Sequence, residues 1–255
     1  MIVDISEELR DYLRTIRRFV ETELLPYEDY VEEHDGLPAD VEARIRSRAV
    51  DIGLTGIAMP VEVGGTGMTV LEQVLVTEEL FKALPGVSEA IPAPPDILLA
   101  CDEPQRKKYL YPCIAGERQF CFALTEPDAG SDAAGLKTKA TRDGDDWVIN
   151  GRKRFISHGE TADFAIVFAV TDQDSRDDRV TAFLVDRGTP GFTVGQRHKT
   201  MGQRGYHQCE LVFDDCRVAD AQVIGEVGKG FAIAFDSTRS QRILTAARCL
   251  GPMAR

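Results

Sequence analysis

Near Arg118 the spacing of apolar residues changes character, and no other feature of the chain constrains the fold as much. Before that point apolar side chains recur every three or four positions, the period of amphipathic helices. Leu9, Leu13, Ile16, Phe19, Val20 and Leu24 make one such stripe, with Ser6 placed to cap it and Pro26 to kink or end it. A second helix is predicted from Pro38-Ala39-Asp40, with Val41, Ile45, Ala49 and Ile52 on one face and Gly53 as its stop. After a glycine-rich loop over 59–67, Thr69 caps a third predicted helix through Leu84, and more helix is expected around 87–101 and 103–115.

From Arg118 onward the chain breaks into short alternating or wholly apolar runs: CFALTE, KTKATRD, DWVING, DFAIVFAVT, RVTAFLVD, GFTVGQR and CELVFDD. They are rich in Val, Thr, Phe and Ile and are separated by turn residues, as strands are. Gly144-Asp145-Asp146 is the best hairpin turn. About seven strands at this spacing imply an antiparallel barrel or sandwich. After Gly228-Lys229-Gly230 helical periodicity returns through Phe231, Ile233, Ala234, Ile243, Leu244, Ala247 and Leu250. Such a helix cannot bury its apolar face alone, so it either docks back or opens a third domain. The expected fold is α+β. A helical bundle over 1–116 leads into an antiparallel β-barrel-like domain over 117–226, and 227–255 form the first helix of an incomplete C-terminal helical domain.

Charge narrows the function. The 42 acidic residues outnumber 30 basic ones, a net charge of −12, which argues against a non-specific nucleic-acid binder. The balance inverts in 227–255, where Lys229, Arg239, Arg242, Arg248 and Arg255 face a single acid, Asp236. No apolar run reaches the ~18 residues of a membrane span, and the opening MIVDISEELRDYLRTIRR lacks the core of a secretory signal. Cys101, Cys113, Cys121, Cys209, Cys216 and Cys249 show no metal spacing and read as buried reduced thiols, which suits a cytoplasmic protein.

Several chemistries find no support. Gly64-Gly65-Thr66-Gly67 follows no strand and has the wrong spacing for a nicotinamide fold. There is no GxxxxGK[ST] or HExxH; His34, His158, His198 and His207 never pair at ligand spacing; and Gly130-Ser131-Asp132 lacks the frame of a nucleophile elbow.

One stretch stands apart: Leu124-Thr125-Glu126-Pro127-Asp128-Ala129-Gly130-Ser131-Asp132 leaves an apolar strand for a turn of small residues and hydroxyls. Such a turn can approach an anion closely, and equally it can be an ordinary Pro/Gly turn. Its length and order resemble the signature of the acyl-CoA dehydrogenase family. The resemblance extends to 48–54, 60–68, 77–80, 147–157, 201–205, 210–218 and 225–231, in the family's order, so essentially the whole chain is covered.

The family resemblance implies flavin adenine dinucleotide (FAD) against the β domain and desaturation of an acyl thioester between its α and β carbons. Phe122, Leu124 and Thr125 would line the flavin ring, with Thr125 on its pyrimidine edge, and Gly130 and Ser131 would reach the pyrophosphate or the nearby thioester chain. Phe155 would pack on the ring and the Ser157 hydroxyl would face N5, where most relatives have Trp and Thr. Taken alone, Phe155 is a core aromatic and Ser157 a capping hydroxyl.

The catalytic base of the family is a glutamate, in most relatives late in the C-terminal domain and in a minority on that domain's first helix. The latter place falls on Gln241, before Arg242, and glutamine cannot accept a proton. Glu126 is a tempting substitute but is expected to bind backbone amides, while Arg242 reads equally as an active-site residue or as solvated surface.

The isolated chain is therefore expected to be inactive and to hold flavin weakly or not at all. The implied partners are acyl-CoA or an acyl carrier protein thioester, an electron-transfer flavoprotein, and further copies of the chain in a homo-oligomer. Two alternatives stand beside the dehydrogenase: a non-catalytic or truncated subunit of a heteromeric complex, and a flavin monooxygenase or oxidase on the same scaffold. Cys101, where relatives more often have glycine, could narrow the acyl pocket.

Overall fold

In the computed structural model, which describes residues 5–172, 174–175 and 178–255, local chemistry sets most helix ends as expected. The Ser6 hydroxyl accepts from the Leu9 amide at 3.1 Å at the head of α1 (Glu7–Phe19). Pro26 diverts the helical path without ending it. A π turn (Val20–Leu24) and a 3-10 turn (Leu25–Tyr27) carry the chain into α2 (Glu28–His34), the local rewinding a proline without an N–H imposes. Then α3 (Ala39–Asp51) follows Pro38 and stops before Gly53 at φ 75°. Thr69 and Glu72 form a reciprocal capping box at the start of α4 (Val70–Leu80).

Three expectations need correction. The third helix ends at Leu80 rather than Leu84, because the Ser88 hydroxyl takes up the carbonyls of Leu80 and Ala83 at 3.1 and 3.2 Å. The helix expected over 87–101 does not form. It is replaced by α5 (Pro85–Ser88) and a 3-10 turn (Asp96–Ala100), since Pro92, Pro94 and Pro95 break any helical ladder between them. The one expected over 103–115 is divided into α6 (Glu103–Gln105), a π turn (Arg106–Leu110) and α7 (Tyr111–Ile114), with Pro112 lacking a donor at the junction.

The chain divides into two compact units. The first comprises the described part of Met1–Ala93, with Met201–Tyr206 and Thr238–Arg255; the second comprises Pro94–Thr200 and His207–Ser237. The core of the first is built on Ile16, Leu24, Ile45, Val76 and Ala83, all fully buried.

All seven expected strands form: β1 (Phe120–Ala123), β2 (Lys139–Asp143), β3 (Asp146–Ser157), β4 (Phe164–Val170), β5 (Val180–Asp186), β6 (Phe192–His198) and β7 (Gln208–Ala219). They make one curled sheet in the order β1-β4-β2-β3-β7-β6, with β5 beside β4. Most pairings are antiparallel, but β1 runs parallel to β4 from Phe120↔Phe164 to Ala123↔Val167, and β2 touches β4 in parallel at Lys139↔Val170. The hairpin turn is Gly144-Asp145, closing on the Asp143↔Asp146 pair with Gly144 at φ 63°. β4 is buried along its whole length, as its unbroken apolar run requires. Ala165, Val167 and Ala169 enter the sheet core with Trp147 and Phe183, while Phe164 meets the Tyr109 ring at 4.8 Å on the other face.

The final helix, α8 (Gly230–Ala254), buries Ala234, Ser237, Leu244 and Ala247 and exposes Phe235, Ile243, Leu250 and Met253. Arg248 of this helix and Arg255 just beyond it pair with acids of the first unit. Arg248 meets Glu89 at 2.5 Å and lies over the Phe81 ring, and Arg255 meets the buried Glu28 at 2.6 Å. The local excess of positive charge in 227–255 thus pairs in part with buried acids elsewhere in the chain.

Candidate functional site

The two stretches that carry the family signature lie side by side. β1 alternates: Cys121 and Ala123 enter the sheet core, so Phe122 and Leu124 stand on the opposite face, with Phe122 tilted against Phe168 at 4.8 Å. One residue later the Thr125 carbonyl accepts the Arg154 amide at 2.8 Å, which ties the start of the turn to the end of β3. Ile156 points into the core, and Ser157, half-buried, pairs in register with Gln208.

Phe155 is placed by a β-bulge. Three steps along β3, from Lys153 to Ile156, match two along β7, from Leu211 to Cys209. The bulge turns Phe155 to φ 56° and leaves it 51% exposed, its ring 4.6 Å from His198 and beneath the Arg154 guanidinium at 4.9 Å. A left-handed backbone costs an L residue about 1–2 kcal/mol, and a bulky aromatic there is a true outlier. The fold therefore spends energy to keep an aromatic face outward beside Thr125, where burial would have been the cheaper outcome.

Gly130 and Ser131 are both exposed on the turn, and a Cβ built on Gly130 would meet nothing within 4 Å, so the backbone there is open to close approach. A half-exposed aromatic, a half-buried hydroxyl two residues on, and an open glycine-serine turn are donors and surfaces that suit a planar ring with an anionic tail. Phe122, Leu124, Thr125, Gly130, Ser131, Phe155 and Ser157 all belong to the second unit, and the Arg154–Thr125 bond joins the strand end that carries Phe155 and Ser157 to the residue that follows Leu124. Gln241 and Arg242 belong to the first unit, on α8: Gln241 is half-buried, Arg242 exposed.

Glu126 is fully engaged. Its carboxylate accepts the Lys137 amide at 2.6 Å, the Thr138 amide at 2.9 Å and the Lys153 ammonium at 2.7 Å. Burial works against its charge, but the ammonium and amide donors outweigh it and hold the carboxyl below the usual carboxylate range, unsuited to take up a proton. Lys153, 0% exposed, was not singled out by sequence reasoning. Burial pushes its amine down to about 8 while Glu126 opposes the shift. The signal was present, since Lys153 falls in phase with the inward-facing Trp147 and Ile149 of the same strand. His198 was likewise missed as the ring neighbour of Phe155, and its Nε2 is buried with no hydrogen-bond partner.

Five of the six thiols are buried and offer no second chemistry, while Cys249 is exposed on α8. Burial drives Cys101, Cys113 and Cys121 up to about 12, and Cys209 and Cys216 up to about 11, so none is a nucleophile at neutral pH. Among the described residues no cluster of metal-binding side chains occurs, and no helix is long and apolar enough to cross a membrane.

Helices, then a curled sheet, then a terminal helix define an α+β class. Residues 6–117 match the N-terminal domain and residues 121–216 the middle domain of acyl-CoA dehydrogenases, and the chain belongs to the acyl-CoA dehydrogenase family. It is 33% identical to the mitochondrial isovaleryl-CoA dehydrogenase of Pongo abelii over 98% of this chain and 60% of that protein. Butyryl-CoA dehydrogenase from Megasphaera elsdenii superposes with a TM-score of 0.87 at 35% identity, over 98% of this chain and 67% of the other. An acyl-CoA dehydrogenase from Bacillus anthracis, solved in complex with FAD, gives 0.84 at 30% identity, over 97% and 42%. The chain spans about 60% of the length of the first of these relatives.

Proposed function

We propose that this chain forms the flavin-binding part of an FAD-dependent acyl-CoA dehydrogenase. The observation that supports the reading is the Arg154–Thr125 backbone bond, which ties the segment leading into the glycine-serine turn to the residue before Phe155, whose φ is 56°. When bound, FAD supplies the acceptor for a hydride from the β carbon of an acyl thioester.

The chain's own residues then have defined tasks. Phe155 offers a face to the ring, and Phe122 and Leu124 give the seat an apolar wall that excludes water. Thr125 offers backbone and hydroxyl groups to the pyrimidine edge, and Ser157 offers a hydroxyl to the reacting edge. Gly130 and Ser131 let backbone N–H groups approach an anion.

Removal of the α proton needs a base that these residues do not provide: Glu126 is committed to three donors, and Gln241 cannot take a proton. Electron transfer to a partner flavoprotein, an acyl thioester carried by coenzyme A or an acyl carrier protein, homo-oligomerisation and a reducing compartment such as the cytoplasm extend the same reading. The Cys101 side chain is buried and its amide donates to the Leu98 carbonyl at 3.2 Å, so any narrowing of an acyl pocket there would act through the Asp96–Ala100 turn.

The test is titration of the 255-residue chain with FAD, followed by quenching of flavin fluorescence. The reading expects saturable binding, weakened at least tenfold in Ser157→Ala and unaffected by Gln241→Ala. Absence of saturable quenching, or equal affinity in the Ser157 variant, would count against it.

A further inference from the structure

Lys153 is the only buried basic residue of the protein's described part, and the proposed chemistry gives it no task. Its strand partner is Leu211, a residue of the sheet core, so the side chain runs inward beneath the sheet. Its ammonium ends on the Leu124 carbonyl at 3.2 Å and on Glu126 Oε1 at 2.7 Å. Glu126 in turn takes the amides of Lys137 and Thr138, at the far end of the excursion that contains Gly130 and Ser131. One pair therefore clamps both stems of that excursion to β3. The clamp lies one residue before Arg154, whose amide holds Thr125, and two before Phe155.

Stability alone is a weak reason for such a pair. Desolvation offsets most of the attraction between two buried charges, and apolar or neutral residues of similar volume often hold a core as well. A neutral replacement cannot reproduce the geometry, in which one carboxylate accepts two backbone amides while an ammonium reaches both it and a backbone carbonyl.

We propose that Lys153 and Glu126 are a positioning pair, which fixes Thr125, the Gly130–Ser131 turn and Phe155 relative to one another; the inference rests on the flavin reading above. The pair touches neither substrate nor cofactor. It acts by holding the residues that do.

The experiment compares the wild-type 255-residue chain with Lys153→Met and with the double variant Lys153→Met/Glu126→Gln. It reads thermal midpoint, hydrogen exchange at the Lys137, Thr138 and Arg154 amides, and FAD affinity by fluorescence quenching. The single variant, which strands the Glu126 charge, should lose thermal stability, and the neutral double variant should recover most of it. Exchange at the three amides should nonetheless stay at least tenfold faster than in wild type, and FAD affinity at least tenfold weaker.

A double variant that recovers FAD affinity together with its midpoint overturns the positioning role. A wild-type chain that takes no FAD overturns the flavin reading instead. In that case the exchange rates still decide the pair, because wild-type protection of all three amides in the double variant shows that the pair does not hold the turn.

Discussion

The Arg154 amide donates to the Thr125 carbonyl at 2.8 Å, and this bond, with those of Lys153 to Leu124 and Glu126, joins two segments 29 residues apart. On one side of it lies the turn that leaves β1. On the other, the bulge of β3 carries Phe155 outward at φ 56°. The left-handed backbone there is the local cost of presenting that ring.

Phe155→Gly should separate stability from ligand affinity. Glycine removes the left-handed penalty of about 1–2 kcal/mol, while loss of the half-exposed ring and greater freedom of the unfolded chain offset it by a similar amount. The thermal midpoint should stay within ~4 °C of wild type. FAD affinity should fall at least tenfold, measured on the same preparations by fluorescence quenching. A large drop in midpoint would show that the ring serves the core.

Gly86→Ala should release the segment Met201–Tyr206 from the helical unit. A Cβ at Gly86 would sit 1.7 Å from the Arg204 carbonyl oxygen, and Gly205 packs against the same glycine while its amide donates to Asp35 at 3.0 Å. Backbone must move to admit one methyl group, at a cost of about 1–3 kcal/mol. The expected result is a lower urea midpoint with faster hydrogen exchange at the Gly205 amide. Unchanged exchange at Gly205 would show that the segment is held by other contacts.

Acid should unfold the protein through its paired carboxylates. For Asp186 and Glu79 burial favours the neutral form, but Lys108, Arg118 and Tyr109 around the first, and Arg17 and Lys82 around the second, hold both below their usual values. Each protonates sooner in the unfolded chain than in the folded one. Unfolding in acid therefore takes up protons, and this part of the stability, fully present above about pH 5, is lost as pH falls through 4.5 and 3.8 and below. Asp186→Asn should make the fall shallower by up to about one proton, read from urea midpoints between pH 7 and pH 3. An unchanged slope would mean that the ion pairs of Asp186 with Lys108 and Arg118 persist on unfolding.

Much of the fold is legible along the chain because its causes are local. Ser6, Thr69, Gly53 and Gly144 act on the few residues beside them, and each acts where it was expected to. The failures share a physical origin. The helix expected over 87–101 was read from apolar spacing, which Pro92, Pro94 and Pro95 override. Lys153 was legible as a cation in an inward phase of β3, yet its partner Glu126 lies 27 residues away, and nothing in the linear order joins them.

By itself the sequence determined the change of period at Arg118, the seven strands, the helix caps and the glycine-serine turn, since alternation, capping and turn chemistry act over a few residues. Tertiary structure alone decided that β1 would pair with β4, that Met201–Tyr206 would pack with the helical unit, and that an extra residue in β3 would turn Phe155 outward beside Thr125. Those outcomes depend on register and on burial of the opposite face. Both are set by strands and helices that meet only when the chain has folded.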